Sequence, residues 1–314
     1  MAVLTDLIFF SIFIFVLSKS SVYVVRSITN ISSFLKLTEF TSGFIILALA
    51  TTLPELFVGI NSAINHTPTI SLGNVIGSNI ANISLVLGIV ILVGHGIKIK
   101  SKAIGKDSIY MLIIAFLPIL LMSDGLLSRT DGAILILIFI FYIYKILKEK
   151  RRFEKKLNKV TGYEVFNNIV LFITSIIMLL VASNFIVKFA VNIANDLNVS
   201  SMLIALLLVA VGTSIPELTL GIRSVLSGHR GLTIGNLIGA VATNSTLVLG
   251  ITALIMPIVT EPKLFFVSSF FVLAACILFV AFIYTNNKLT IKESFLLLLF
   301  YGIFIFTVLA LRFT

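Results

Sequence analysis

Ten apolar runs, separated by short charged or turn-forming stretches, are the feature of this sequence that most restricts its fold. A helix of about 20 apolar residues is long enough to cross the hydrocarbon core of a bilayer. The sequence therefore predicts an all-α integral membrane protein with ten transmembrane helices. The runs lie at residues 6–28, 39–65, 70–96, 106–124, 130–147, 164–188, 200–227, 232–258, 263–285 and 291–312.

The composition excludes most other classes of protein. Hydrophobic residues make up 59% of the chain and charged residues only 11%, whereas soluble domains carry about 25% charged residues. A soluble enzyme and a disordered chain are therefore excluded. The single cysteine, Cys276, lies in an apolar run and excludes a disulfide framework within the chain. We expect it to be a small packing residue.

The basic residues predict the orientation of the chain in the membrane. The net charge is +10, which in a soluble protein would suggest a nucleic-acid partner. Here 19 of the 23 Lys and Arg residues fall in the loops that follow odd-numbered runs. Because Lys and Arg collect on the cytoplasmic side, we expect both termini outside the cell membrane, loop 148–163 in the cytoplasm and no nucleic-acid partner. That loop is interpreted as a solvated topogenic segment, with binding of anionic lipid headgroups as the alternative.

An internal repeat appears when the sequence is shifted by 162 residues. The segment ALATTLPELFVGINS (48–62) then aligns with AVGTSIPELTLGIRS (210–224), and GNVIGSNIANISLVLG (73–88) aligns with GNLIGAVATNSTLVLG (235–250). Over residues 48–88 the two copies share 17 identities in 41 positions. Ten of these identities are Thr, Pro, Glu, Gly, Ser or Asn, so a shared hydrophobic composition does not explain them.

The spacing of the copies predicts that they are inverted. Five runs separate them, and because five is odd the second copy enters the bilayer in the opposite orientation. We therefore expect two inverted five-helix repeats, at 1–147 and 164–314, joined by a basic cytoplasmic linker at 148–163. Inverted repeats are typical of transporters, whose substrate site lies near mid-membrane where the repeats meet. One site would then lie inside each chain, so we expect a functional monomer.

Two acidic residues, Glu55 and Glu217, occupy equivalent positions inside the second and seventh runs. Placing a charged side chain at the bilayer centre costs about 2.5–3.5 kcal/mol on insertion scales. A buried carboxylate needs a counter-charge or a proton, and no Lys or Arg lies in the central part of any run. A bound cation is therefore the expected partner. The alternative is a pair of protonated glutamic acids that bond to backbone groups of neighbouring helices.

The residues before each glutamate predict a broken helix with exposed oxygens. Pro54 and Pro216 have no N–H and clash with the carbonyl four residues earlier, so we expect breaks near Thr51–Thr52 and Thr213–Ser214. Released carbonyls and neighbouring hydroxyls would complete an all-oxygen shell. Such a shell suits Ca²⁺ and, by the same hardness argument, Na⁺, whereas zinc and copper favour His and Cys. The histidines lie in loops or at the ends of runs and predict no metal site: His66, His95 and His229.

The third and eighth runs are predicted to form the opposite wall of this site. Asn74, Ser78 and Asn82 are spaced by four and share one helix face, and the stripe recurs as Asn236, Ala240 and Asn244. We expect Asn82 and Asn244 to point amide oxygens at the ion, with simple interhelical hydrogen bonds as the alternative. Four glycines form small-xxx-small pairs that allow close helix approach: Gly73, Gly77, Gly235 and Gly239.

With these motifs the chain resembles the sodium/calcium exchanger branch of the cation/calcium exchanger superfamily, in its compact prokaryotic form. The resemblance covers the whole layout and is most specific over the alpha-repeats, 42–88 and 204–250, with GTSIPE at 212–217 and ATTLPE at 50–55. It implies transport of Ca²⁺ and Na⁺ without a cofactor, and alternating access by sliding of the first and sixth helices. It also implies these ligands: Glu55, Glu217, Asn82, Asn244, Thr51, Thr52, Thr213, Ser214, Ser78 and the carbonyls of Ala48 and Ala210.

Two positions depart from the family pattern. Many members have an acid where this chain has Asn244 and a serine where it has Ala240. The site keeps two carboxylates, formally −2, which matches one Ca²⁺, but it lacks an oxygen that resembles a sodium ligand. Exchange of Ca²⁺ for Na⁺ is the leading hypothesis, and a Ca²⁺/H⁺ exchanger on the same fold is the alternative. A cation channel fits the inverted repeat less well. An intramembrane hydrolase is the least favoured class, because the runs contain neither a nucleophile paired with a base nor a metal-binding pair of histidines.

Overall fold

The computed structural model describes residues 2–34, 47–98, 102–149, 162–228, 230–260, 262–286 and 288–311. In this part of the chain nearly every residue is helical. Eight helices here are long and apolar enough to cross a membrane. The second apolar run is described from Leu47 and forms two short helices, and the fifth forms a helix of 21 residues from Arg129 to Glu149. The fold is therefore that of an all-α membrane protein.

The helices follow the apolar runs but extend beyond several of them. The longest, at 2–34 and 162–196, pass the predicted ends because polar residues end an apolar run without ending a helix. In the first half, the helices are α1 (Ala2–Phe34), α2 (Leu47–Thr51), α3 (Leu53–Ile64), α4 (Thr69–Ala81), α5 (Leu87–Val93), α6 (Lys102–Leu121) and α7 (Arg129–Glu149). The second half contains α8 (Gly162–Asp196), α9 (Ser201–Ile204), α10 (Ala210–Thr213), α11 (Ile215–Leu226), α12 (Arg230–Thr243), α13 (Leu249–Ile255), α14 (Pro262–Asn286) and α15 (Ile291–Ala310).

Three π-helical segments interrupt α-helical spans in the described part of the chain. Asn82–Val86 joins α4 to α5, Asn244–Val248 joins α12 to α13, and Ala205–Val209 joins α9 to α10. The first two lie 162 residues apart, at equivalent positions of the two copies. Single π turns within α-helices are frequent at functional sites. The sequence analysis predicts a membrane span over each of these two segments but no change of helix type within it. Each begins with an asparagine already singled out from the sequence.

Four short strands tie the two halves together. They are β1 (Ile97–Lys98), β2 (Leu126–Leu127), β3 (Ile258–Val259) and β4 (Lys288–Leu289). β1 pairs with β4 and β2 pairs with β3, both antiparallel. α6 separates β1 from β2, and α14 separates β3 from β4. Because a 20-residue helix is about 30 Å long, the two sheets lie at opposite ends of α6 and α14.

The helices that carry the repeated motifs form the centre of the molecule. In the apolar spans Thr69–Val93 and Arg230–Ile255, 83% and 78% of the most apolar stretch is buried, against 28% in Phe166–Asp196. α1 packs along α8 at the periphery, and their apolar side chains lie in a separate cluster from the main core. Stacked rings of Phe13 and Phe185, with centroids 4.4 Å apart, join these two helices.

Close helix contact explains two of the predicted glycine positions. A Cβ added at Gly77 would lie 2.3 Å from the carbonyl oxygen of Leu206, and one at Gly73 would lie 2.4 Å from that of Met202. Real Cβ atoms do not approach backbone oxygens this closely. The prediction that Gly73 and Gly77 allow close approach is confirmed: they bring α4 against the segment from α9 to α10. Cys276, also as predicted, is a buried packing residue in α14.

Candidate ion-binding site

A single irregular residue separates the helices in front of each glutamate. Thr52 lies between α2 and α3, and Ser214 lies between α10 and α11. The predicted breaks are confirmed, although they are slight. The N–H of Thr52 still bonds to the carbonyl of Ala48 at 3.2 Å, and that of Ser214 bonds to the carbonyl of Ala210 at 3.1 Å. The interruption therefore costs little backbone hydrogen bonding, although α3 and α11 each begin as a new helix directly after it.

Glu55 and Glu217 lie in the first turns of α3 and α11 and have no exposed surface. The hydroxyls of Thr213 and Ser78 lie beside the Glu55 carboxyl group, and the hydroxyl of Thr51 lies beside that of Glu217. The two carboxyl groups are themselves close enough to interact electrostatically. Yet none of their four oxygens has a hydrogen-bond partner in the described part of the chain.

The arrangement of the two glutamates has an energetic consequence. Burying an ionised carboxylate without a partner is prohibitively costly, and two neighbouring carboxylates also repel one another. The beginning of a helix carries a partial positive charge, which offsets only part of this cost. The geometry therefore suits a cation held between the carboxylates, since it would satisfy both groups at once.

Reciprocal hydrogen bonds place the hydroxyl groups around the glutamates. The Oγ1 of Thr213 lies 3.0 Å from the Oδ1 of Asn74, and the Oγ1 of Thr51 lies 3.3 Å from the Oδ1 of Asn236. Residues 51 and 213, like residues 74 and 236, are 162 apart in sequence. The two contacts are therefore the same interaction made twice, each between one copy and the other.

The copies differ at one position of this network. The Oγ of Ser78 lies 3.1 Å from the Oγ1 of Thr213 and 3.4 Å from the carbonyl oxygen of Ala210. The residue equivalent to Ser78 is Ala240, which is fully buried and has no hydroxyl. The surroundings of Glu55 thus include two hydroxyls from the side chains named above, and those of Glu217 include one.

The carbonyls of Ala48 and Ala210 lie among these hydroxyls. The carbonyl of Ala48 accepts from the hydroxyls of Thr51 at 3.2 Å and Thr52 at 3.1 Å, and that of Ala210 accepts from Thr213 at 3.2 Å. The Thr52 hydroxyl is thus turned back onto its own helix. The hydroxyl of Ser214 is buried without a hydrogen-bond partner among the described residues.

The two asparagines at the π segments are equivalent in sequence but differ in their contacts. Both are fully buried. In the described residues, neither polar side-chain atom of Asn82 has a partner. The Nδ2 of Asn244 donates to the Oδ1 of Asn79 at 3.2 Å, and its Oδ1 has no partner. Sequence comparison of the copies missed Asn79 because its equivalent is Val241. The available signal was its place in the segment GNVIGSNIAN (73–82), three residues before Asn82.

In the part of the chain that the structure describes, the remaining titratable groups do not gather into a second metal-binding cluster. Within the described ranges, no group of three or more His, Cys, Asp or Glu side chains lies together. His66 and His95 sit in turns with positive φ values of 59° and 50°, and His229 lies outside the described residues. The oxygens around the two glutamates come from neutral hydroxyl, amide and carbonyl groups. This donor chemistry suits a hard cation rather than a transition metal.

Comparison with known proteins agrees with this architecture and identifies a class of membrane transporter. The sodium/calcium exchanger protein family matches residues 5–148 and 167–310, so the family module occurs twice. The chain belongs to the sodium/calcium exchanger family. It is therefore a multi-pass cation/Ca²⁺ exchanger of the compact prokaryotic type and a transporter rather than an enzyme.

Several relatives are similar over most of their length. The inner membrane protein YrbG of Escherichia coli is 30% identical over 230 residues, which cover 70% of each chain. The sodium/calcium exchanger MaX1 of Methanosarcina acetivorans is 27% identical over 335 residues, covering 92% of this chain and 94% of the relative. A structure of the sodium-calcium exchanger NCX_Mj soaked with 10 mM Na⁺ and 10 mM Sr²⁺ superimposes with a TM-score of 0.69 at 28% identity. It covers 96% of this chain and 97% of that one.

Proposed function

We propose that the protein is a secondary antiporter that exchanges Ca²⁺ for Na⁺ by alternating access at one mid-membrane site. The observation that carries this proposal is the pair Glu55 and Glu217, one from each copy, which are fully buried and close enough to interact electrostatically, and whose four carboxyl oxygens lack hydrogen-bond partners among the described residues. Two carboxylates carry a formal charge of −2, which balances one Ca²⁺ or two Na⁺.

The proposed ligand set extends beyond the glutamates. Ca²⁺ takes six to eight oxygen ligands, more than two carboxylates provide. The remaining oxygens would come from the neighbouring hydroxyl, amide and carbonyl groups: Asn82, Asn244, Thr51, Thr52, Thr213, Ser214, Ser78, Ala48 and Ala210. Since Na⁺ and Ca²⁺ would use the same oxygens, binding of one excludes the other, and this competition couples their movements.

The architecture proposed for this exchange is ten crossings arranged as two inverted repeats, at 1–147 and 164–314, with a cytoplasmic linker at 148–163. The strand pairs support the inversion. A shift of 162 residues carries β2 onto β4, and it carries β1 onto β3 within one residue. These equivalent strands lie at opposite ends of α6 and α14, as an inverted repeat requires. Positive-inside bias then places both termini outside the cell.

Alternating access by sliding of α1 and α8 is supported by their packing. Their apolar side chains form a cluster distinct from the main core, and this cluster also includes Ala50 and Val58 of the site helices. The hydroxyl of Ser18 in α1 lies 3.4 Å from the carbonyl oxygen of Gly212, four residues before Pro216. Movement of α1 would therefore change the surroundings of the second helix break directly. With one complete site per chain, a monomer is sufficient for this cycle.

The test is Ca²⁺ flux in proteoliposomes under Na⁺, K⁺ and H⁺ gradients imposed one at a time. We expect an outward-directed Na⁺ gradient to drive Ca²⁺ uptake, and uptake to stop when the gradient is collapsed with a sodium ionophore. Ca²⁺ uptake that is indifferent to every Na⁺ gradient would reject sodium coupling. Flux with no counter-ion dependence at all would indicate a channel.

A Ca²⁺/H⁺ exchanger is the second candidate, and Ala240 is the observation that favours it. The missing hydroxyl at this position leaves Glu217 with fewer neutral oxygens than Glu55, and a hydroxyl lost from the shell weakens Na⁺ binding more than protonation. Ca²⁺ uptake driven by a pH gradient in sodium-free medium, with no response to Na⁺, would support this candidate over the first.

A further inference from the structure

We propose that Asn79 is a positioning residue that holds the side-chain amide of Asn244 with its oxygen, rather than its NH₂ group, toward the bound cation. This inference rests on the proposed function, because it assigns Asn244 as an ion ligand. It concerns a residue that comparison of the two copies does not identify, because its equivalent is Val241.

The hydrogen bonds define a directed chain of three side chains. The Nδ2 of Asn244 donates to the Oδ1 of Asn79 at 3.2 Å, and the Nδ2 of Asn79 donates to the Oγ of Ser245 at 2.9 Å. All three residues are at least 97% buried. A side-chain amide has donors at one end and an acceptor at the other, so a partner that accepts from Nδ2 leaves Oδ1 facing the opposite way. The Oδ1 of Asn244 is the atom left without a hydrogen-bond partner in the described chain.

The surroundings of Asn79 leave the amide few other choices. Asn79 and Ser245 line a small cavity of about 20 Å³, and its other lining residues are apolar. Ile76 and Pro118 are among them. Apart from Ser245, no polar side chain lines this cavity, so none competes for the hydrogen bonds of Asn79. The Asn79 amide therefore bonds to Ser245 and Asn244. Loss of either hydrogen bond would leave a buried polar group unsatisfied, which is energetically unfavourable.

The equivalent asparagine of the first copy has no such hydrogen-bond partner in the described residues. The residue equivalent to Asn79 is Val241, which is buried and has no polar atom. Accordingly, neither side-chain atom of Asn82, the equivalent of Asn244, has a partner in the described residues. The two asparagines are therefore unequal: Asn244 is held in one orientation, whereas Asn82 is free to turn either its oxygen or its NH₂ group toward the ion.

The test is a double-mutant cycle between Asn79 and Asn244, measured by self-exchange of radioactive Ca²⁺ in sodium-free proteoliposomes. This assay needs no counter-ion, so it does not depend on which coupling ion the protein uses. We expect Asn79→Leu to raise the Ca²⁺ KM about tenfold, the size typical of losing a partner that orients a metal ligand, with little change in the maximum rate. In an Asn244→Ala background the same change should have less than about a twofold effect, because no amide remains to be oriented.

Three further variants separate positioning from packing. Asn79→Ala, without the bulk of leucine, should behave like Asn79→Leu. Asn79→Asp keeps an acceptor for the Asn244 amide and should retain a KM near that of the unmodified protein. Ile76→Val alters the same cavity without touching the hydrogen bonds and should leave the KM unchanged. Thermal unfolding in detergent identifies the variants that fold.

The outcomes distinguish this inference from the proposed function. Equal effects of Asn79→Leu in both backgrounds, or equal losses in the Asp and Leu variants, would overturn the positioning role. So would an Asn244→Ala variant with an unchanged Ca²⁺ KM, although loss of transport in Glu55→Gln would then still support the carboxylate site. Full self-exchange in both glutamine variants would instead reject the proposed site itself.

Discussion

The hydroxyl of Thr213 donates a hydrogen bond of 3.0 Å to the Oδ1 of Asn74, and this bond crosses from the second copy of the repeat to the first. The equivalent bond runs the other way, from Thr51 to Asn236 at 3.3 Å. Each half therefore supplies a threonine hydroxyl that lies beside the glutamate of the other half, and an asparagine of that other half accepts a hydrogen bond from it. Neither copy alone supplies all the side chains of the proposed oxygen shell, so the proposed site would form only where the copies meet.

Replacing either glutamate by glutamine is expected to abolish Ca²⁺ transport. Glu55→Gln or Glu217→Gln removes one of the two negative charges and replaces an oxygen with an NH₂ group that repels a cation. Loss of a charged ligand should weaken Ca²⁺ binding by at least about 100-fold, since loss of an outer partner alone costs 10–100-fold. The measurement is Ca²⁺ self-exchange in proteoliposomes.

A third glutamate provides the control for these variants. Glu293 caps α15 by bonding to the N–H of Thr290, away from the proposed site. Glu293→Gln should keep transport and lose only a modest amount of thermal stability, because an amide oxygen still accepts this bond. If both site variants retain the full rate of Ca²⁺ exchange, the carboxylate pair is not the cation site.

Adding the hydroxyl that the second copy lacks is expected to strengthen sodium coupling. Ala240→Ser introduces one oxygen at the position equivalent to Ser78, which lies beside Glu55. The new hydroxyl would lie near Thr51 and Glu217 by the same symmetry, so we expect the Na⁺ concentration that gives half-maximal Ca²⁺ efflux to fall severalfold. Ala240→Cys, whose thiol is the nearest match in size to the serine hydroxyl but offers soft sulfur in place of a hard oxygen, is the matched control. An equal response in the two variants would mean that the oxygen is not a ligand.

An acid at residue 244 is expected to change ion preference more than folding. Asn244→Asp raises the formal charge of the proposed shell from −2 to −3, so an additional monovalent cation or a proton would be needed to balance it. The coupling ratio should therefore change, as measured by the reversal of Ca²⁺ flux against paired Na⁺ and membrane-potential gradients. Expression and thermal stability should stay close to those of the unmodified protein. An unaltered ratio and pH dependence would place residue 244 outside the shell.

A methyl group at the helix crossing is expected to destabilise the protein. Gly77→Ala would put a Cβ at 2.3 Å from the carbonyl oxygen of Leu206, so the backbones would have to separate. Overpacking of this kind costs about 1–3 kcal/mol and should lower the unfolding temperature in detergent. Gly302→Ala is the control, because no atom lies within 4 Å of the added Cβ and alanine favours the helix. Equal unfolding temperatures would show that the crossing tolerates separation.

The features that could be predicted from the sequence are those that depend only on residue type and on the spacing between residues. Buried carboxyl groups, prolines and closely spaced glycines have energetic consequences that do not depend on the details of packing. For this reason the breaks at Thr52 and Ser214 and the close approach at Gly77 agree with the structure. Because the repeat contains each glutamate, proline and glycine motif twice, chance occurrence does not explain these motifs.

The features that could not be predicted depend on contacts between distant residues. The π segments at Asn82 and Asn244 carry no local signature, because the same residues are compatible with an α-helix. The bond from Asn244 to Asn79 spans 165 positions and breaks the symmetry of the repeat, so comparing the copies could not reveal it. The short strands were missed because two residues are too few to give a pattern of alternation.

The two strand pairs have a consequence for how the chain could be divided. Each pair contains one strand from the first half and one from the second, and the two pairs join the halves at both ends of α6 and α14. Continuity of the backbone through the basic linker is thus not what keeps the halves in register. If the gene is split within that linker, the two polypeptides should associate in the membrane and reconstitute a functional transporter.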